Sequence, residues 1–178
     1  MKNRTLILIF LLSLASFSLY AAPRLAILDF ELKDLTLKPG VAAEIQRTAS
    51  IKPLLAGELA SAGYQIVDIP TQAQQSANSG VGYLFDHADV AAQLGEKFDA
   101  DYVLVGRLHK PSFLFAYVMG NLVRVSDQKL VGKFITESKG PNAELVIKAI
   151  ESLADKIDNS LDNRYTPPPP GKLKVVKP

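Results

Sequence analysis

Three apolar-rich segments follow one another in the second half of the chain with almost nothing between them. They are 101–110 (DYVLVGRLHK), 113–125 (FLFAYVMGNLVRV) and 130–138 (LVGKFITES). Only Pro111-Ser112 and the turn-forming Ser126 to Lys129 separate them. Links that short leave no room for a crossover, so the segments predict an antiparallel meander. The apolar face of such a sheet has to be covered. One cover is legible directly downstream. Val146, Ala149, Ile150, Leu153, Ile157 and Leu161 recur at i+3/i+4 spacing, with Lys148, Glu151, Asp155 and Asp158 on the other side. That pattern predicts an amphipathic helix, and Gly140-Pro141-Asn142 is expected to start it.

The first half alternates strand and helix. RLAILDFEL (24–32) reads as a strand, and LAIL is apolar on both faces, which suits an inner position. KDLTLKPG (33–40) has loop composition. Residues 41–62 predict a helix with Ile45, Ala49, Leu55, Leu59 and Ala62 on one face and Gly63 as its C′ residue. Pro53 interrupts it at a cost of about 3 kcal/mol in a helix interior. Two outcomes are open: a kinked helix, or a second helix capped by Ser50. YQIVD (64–68) is a short strand. PTQAQQSANSGVGYLF (70–85) is polar, small and glycine-bearing, and is expected to be the least ordered part of the body. Asp86 is placed to cap a short helix over 87–95, closed by Gly95. The order β-α-β-α-β-β-β-α predicts an α/β (α+β) fold. It is a single small domain with a mixed sheet of about five strands and helices packed on it. The first two strands, joined by a helical crossover, should be parallel.

The ends predict an exported protein. Lys2 and Arg4 precede Leu6 to Tyr20, an uncharged apolar run of 15 residues, short of the roughly 18–20 that span a bilayer. Residues 1–21 read as a signal peptide cleaved between Ala21 and Ala22. The domain then covers 22–163, and 164–178 is a Pro-rich basic flexible tail. The mature chain has no further run of spanning length, so no transmembrane span is expected. Of 20 basic and 18 acidic residues, loss of Lys2 and Arg4 leaves 18 of each. Arg164, Lys172, Lys174 and Lys177 give the tail +4, so the body carries −4. A nucleic-acid partner needs a basic face on the folded part, and none is visible. The chain has no cysteine, which excludes a disulfide framework, a thiol nucleophile and a cysteine zinc site. The periplasm is the expected location.

Few residues suggest chemistry. Asp29 and Glu31 sit at the end of the first strand, where open α/β sheets often bind ligands; acidic residues there also bond loop amides. His87 has no second histidine at i+3 or i+4, and His109 lies between Arg107 and Lys110, so no metal site is expected. Gly80-Val81-Gly82 lacks the remaining parts of a phosphate loop. No catalytic residue, cofactor or metal is assigned. Phe113, Phe115 and Tyr117 alternate with Leu114, Ala116 and Val118. If the aromatic set faces outward it forms a partner-binding patch; the alternative places it in the core.

AILDFEL, GYQIVD and ADYVLVG, followed by strands and a helix, resemble the periplasmic α/β domain of bacterial envelope proteins. That group includes the TolB N-terminal domain, the CsgG-type curli secretion lipoproteins and the outer-membrane lipoprotein activators of penicillin-binding proteins. The likeness over residues 24–160 is strongest to the domain of unknown function 2380 family of secreted proteins. No propeller, lipobox cysteine or pore-forming insertion accompanies it. The resemblance implies a non-enzymatic adaptor and supplies no catalytic residue.

The leading expectation is therefore a periplasmic accessory protein that binds another envelope protein. Its binding elements would be the 113–125 strand, the 70–85 loop and the basic tail. The rival is a small-molecule-binding protein or weak hydrolase with a cleft near Asp29 and His87. A third possibility is an outer-membrane-associated assembly factor.

Overall fold

The computed structural model describes residues 22–139, 143–161 and 164–167. The expected signal peptide, the Gly140–Asn142 helix start and most of the tail lie outside the described residues. The strands are β1 (Arg24–Ile27), β2 (Glu31–Asp34), β3 (Gln65–Val67), β4 (Tyr102–Lys110), β5 (Phe115–Arg124) and β6 (Lys129–Lys139). The helices are α1 (Ala42–Ser61), α2 (Thr71–Ala77), α3 (Tyr83–Asp86), α4 (Ala88–Glu96) and α5 (Ala143–Asn159).

The sheet is mixed, in the order β3-β1-β4-β5-β6, with β2 also against β4. As expected, β1 and β3 are parallel, and β4, β5 and β6 form the antiparallel meander. The predicted first strand is in fact two. Ile27 pairs with Leu104 and Glu31 with Arg107, so four residues advance against three on β4. The extra residue makes a bulge at Leu28–Phe30. Phe30 turns its ring onto Gly106, where any Cβ would collide with it. Gly120 faces Gly106 across the ladder.

Each sheet face carries its own core. Leu25, Ile27, Leu104, Leu108, Val118 and Leu122 pack beneath α1 and α5. Ala26, Leu28, Val103, Val105 and Val123 pack beneath α2, α3 and α4. The LAIL run is thus split between the two faces, as its composition requires. In α5, Val146, Ala149, Ile150, Leu153 and Ile157 are buried as the spacing predicted.

α1 runs unbroken through Pro53, so the second-helix alternative is excluded; Ser50 Oγ donates back to the Arg47 carbonyl (2.8 Å) instead of capping. Its buried stripe is Glu44, Thr48, Ile51, Leu55 and Leu59. Ile45 and Ala49 point outward. Apolarity misphased the first turns because the residues buried there are polar. At the C-terminus Gly63 has φ +94°. Its N–H bonds to the Ala60 carbonyl and that of Tyr64 to the Leu59 carbonyl, a Schellman end.

Residues 70–85, expected as the least ordered part of the body, contain regular structure. They hold α2 and α3, with Gln74 and Leu84 buried. Asp86 ends α3 and does not cap α4, whose N-cap is His87. Gly95 lies inside α4, packed so closely on Val103 that a Cβ would clash.

Candidate functional site

The two regions singled out in the sequence lie on different elements. Asp29 sits in the β1–β2 bulge. Its N–H donates to Gln74 Oε1 (2.8 Å), and its carbonyl accepts from Gln74 Nε2 (2.9 Å). Gln74 thereby stands in for a neighbouring strand and docks α2 on the bulge. Thr71 donates its hydroxyl to Asp29 Oδ2 (2.6 Å), and Lys52 Nζ lies 3.0 Å from Oδ1. Partial burial pushes the Asp29 carboxyl up, but the Thr71 hydroxyl and Lys52 ammonium outweigh it and hold the group below the usual carboxylate value. That suits a fixed anion and not a proton carrier near neutrality.

Glu31 is held more completely. The Gly82 N–H lies 3.0 and 2.9 Å from its two oxygens, and Arg107 reaches one of them at 3.4 Å. The Arg107 guanidinium also lies over the Phe85 ring, 4.2 Å from its centre. Gly82 has φ +86°, and a Cβ there would press on Arg107. The GVG segment is therefore a turn shaped to present one amide to Glu31.

A groove of about 460 Å³ opens beside Asp29, lined by Phe30, Leu32, Thr48 and Lys52 among others. His87 does not line it. Its ring stacks on Tyr83 at 4.1 Å, with Nδ1 2.8 Å from the Tyr83 carbonyl. Asp29 and His87 are not brought together. Among the described residues no group of three or more His, Asp or Glu converges as a metal site.

The aromatic set of β5 faces away from α1 and α5. Ala116 and Val118 are buried beneath those helices, whereas Phe115 is 40% exposed and Tyr117 is half-buried. Residues 111–114 form the hairpin tip and not strand. The Ser112 hydroxyl accepts from the amides of Leu114 and Phe115, both at 3.3 Å. This leaves Phe113 63% and Leu114 70% exposed.

Sequence reading missed the other half of this surface. The Leu35 amide bonds to the Lys110 carbonyl (2.9 Å), so the β2–α1 loop starts beside the hairpin. Leu35 is 60% and Leu37 91% exposed. The only signal was the alternating leucines of DLTLK in a segment otherwise of loop composition. Together with Phe113, Leu114 and Phe115 they make an apolar end to the sheet.

Beneath this end lies a buried ionic cluster. Lys110 Nζ is 2.7 Å from Glu44 Oε1, and Arg47 is 3.3 Å from Oε2. Arg47 also donates to Ser138 Oγ (2.6 Å). The cluster ties the first turn of α1 to the ends of β4 and β6.

Comparison with known proteins gives a family and a set of structures of similar fold. Residues 23–157 match a family described as protein of unknown function (DUF2380). No curated protein matches the sequence. Among solved structures, the PelC dodecamer from Paraburkholderia phytofirmans is 16% identical, with TM-score 0.51 over 84% of this chain and 92% of that one. Lipoprotein GNA1162 from Neisseria meningitidis is 19% identical (TM-score 0.48; 78% and 98% covered). LpoB from E. coli is 15% identical (TM-score 0.48; 67% and 58% covered). At these identities the PelC likeness concerns the fold alone.

Proposed function

The chain belongs to the family described as protein of unknown function (DUF2380), and on that premise we propose that it is an exported, periplasmic accessory protein. In this reading it is not an enzyme and binds another envelope protein through the apolar end of its sheet. The observation that carries the reading is that Leu35, Leu37, Phe113, Leu114 and Phe115 are all exposed on two segments that meet at one end of the sheet, through the Leu35 N–H to Lys110 carbonyl bond. Exposed apolar side chains gathered in one place mark interaction surfaces, whereas scattered ones do not. The hairpin is held by the Ser112 bonds and the loop by Asp34, whose carboxylate accepts from Thr36 (3.0 Å) and Gly40 (3.1 Å). The surface is thus preorganised, which lowers the ordering cost of binding.

The carboxylates support the same reading from the other side. Asp29 and Glu31 are engaged by Lys52, Thr71, Gly82 and Arg107, so a hydrolytic role would have to break bonds that hold α2 and α3 in place. Tyr117, the next residue on the same face of β5, borders the surface. The test is a genetic and capture comparison. Phe113→Ser with Leu114→Ser should abolish specific partner capture from envelope extract and reproduce the deletion phenotype. Asp29→Ala and His87→Ala should retain both. Loss of the phenotype in Asp29→Ala with a folded protein, and retention in the tip variant, would favour the small-molecule or hydrolase reading.

A further inference from the structure

β6 is the outer edge of the sheet and is 11 residues long, whereas the opposite edge, β3, has only 3. A long edge is a template for another strand unless it is blunted. The blunting visible here is Lys156 of α5, whose Nζ donates to the Ile135 carbonyl (2.7 Å). This bond also identifies the outward-facing backbone. Along an antiparallel ladder alternate residues point their N–H and C=O groups to the same side. Lys133, Ile135 and Glu137 therefore present theirs outward.

The side chains of these residues are exposed, Ile135 by 51%, while Thr136 and Ser138 are buried on the opposite face. Lys133-Phe134-Ile135-Thr136-Glu137 is charge-complementary to itself when reversed about Ile135. An antiparallel second β6 centred on Ile135 places the two isoleucines opposite each other. Each Lys133 then faces Glu137 of the other copy. Opposite charges across a strand pair stabilise it, and like charges destabilise it. Centring the pair on Lys133 or on Glu137 sets like charges face to face, and centring it on Phe134 or on Thr136 forms neither Lys133–Glu137 pair, so the Ile135 register is the one the charges favour.

We propose that a second copy of this chain joins along β6 in this two-fold register, with Lys156 as the latch that covers the edge in the single chain. This surface is separate from the apolar end, so the proposal stands or falls independently of the functional reading.

The test is analytical ultracentrifugation of the chain from Ala22 to Pro178. The wild type should dimerise reversibly, and Lys156→Ala should tighten the dimer by freeing the Ile135 carbonyl. Ile135→Pro removes an outward N–H that β5 does not use; it should give a monomer with an unchanged circular dichroism spectrum. Lys133→Glu and Glu137→Lys should each weaken the dimer about 10- to 30-fold, because two attractive pairs become repulsive. The double reversal should restore it. Wild type and Lys156→Ala both remaining monomeric would overturn the proposal. So would a dimer that neither Ile135→Pro nor the single charge reversals disturb.

Discussion

Replacing Glu44 by alanine isolates the least expected feature of this fold. The side chain is buried, and its two oxygens meet Lys110 at 2.7 Å and Arg47 at 3.3 Å. Both cations are themselves largely buried. Removing the one carboxylate leaves two charges without their counter-ion, and breaking such a pair costs about 3–5 kcal/mol. That is a large part of the roughly 5–15 kcal/mol that holds a domain together. For a domain of this size it corresponds to a fall in Tm of roughly 6–20 °C. Thermal unfolding followed by circular dichroism at neutral pH measures it directly. The double variant Glu44→Leu/Lys110→Met removes a complete pair and leaves Arg47 on Ser138, so it should recover at least half of the loss. A single-variant cost below about 1 kcal/mol, the range of an exposed ion pair, would refute the reasoning.

Further outcomes follow from the same packing. Gly106→Ala should destabilise by about 1–3 kcal/mol through overpacking on Phe30, and Phe30→Leu in the same chain should relieve part of it; an additive loss in thermal melts would contradict this. The folded-state pKa of Asp29 lies below its unfolded value. Its contribution is therefore present above the unfolded carboxylate value of about 3.9 and is lost as pH falls through the folded value. Asp29→Asn should show a stability deficit at pH 7 that shrinks below about pH 4, whereas a deficit constant with pH would show that the charge is not involved. Truncation after Asn163 should melt lower than truncation after Pro167. Tyr165 packs on the core beneath α1 and α5; its N–H donates to Asp158 (2.6 Å) and its hydroxyl to Glu58 (3.0 Å). Equal melting of the two truncations would show that these contacts do not stabilise the body.

What was legible in the sequence was whatever local periodicity encodes. α5 has a clean apolar stripe, and the meander has three apolar runs with short links. Gly63 marked the end of α1 because a left-handed residue there needs glycine. Long-range pairing was not legible. Nothing near Glu44 shows that Lys110, 66 residues away, will neutralise it, so the buried phase of α1 was read from Ile45. α2 was not legible because Gln, Ser and Ala give no apolar stripe, and α3 because four residues are too few to show a helical period; α2 is fixed instead by Gln74 bonding the Asp29 backbone. The β1–β2 break left no local mark, since the bulge answers to Gly106 on another strand. Tyr165 looked like tail because its partners, Glu58 and Asp158, lie on two helices. For the candidate site, the position of Asp29 and Glu31 at a strand end was readable, but the groups that bind them were not. Phe113 and Phe115 were readable as an alternating set. Their exposure, and their union with Leu35 and Leu37, came only with the register of β2 on β4.

The claim that the apolar end is the working surface is tested most directly by photocrosslinking in living cells. A benzophenone amino acid is placed at position 113 in one strain and at the exposed Gln72 of α2 in another. The account predicts a discrete heavier adduct with one envelope protein from position 113 and none from position 72. No adduct at 113, or the same adduct from both positions, would contradict it.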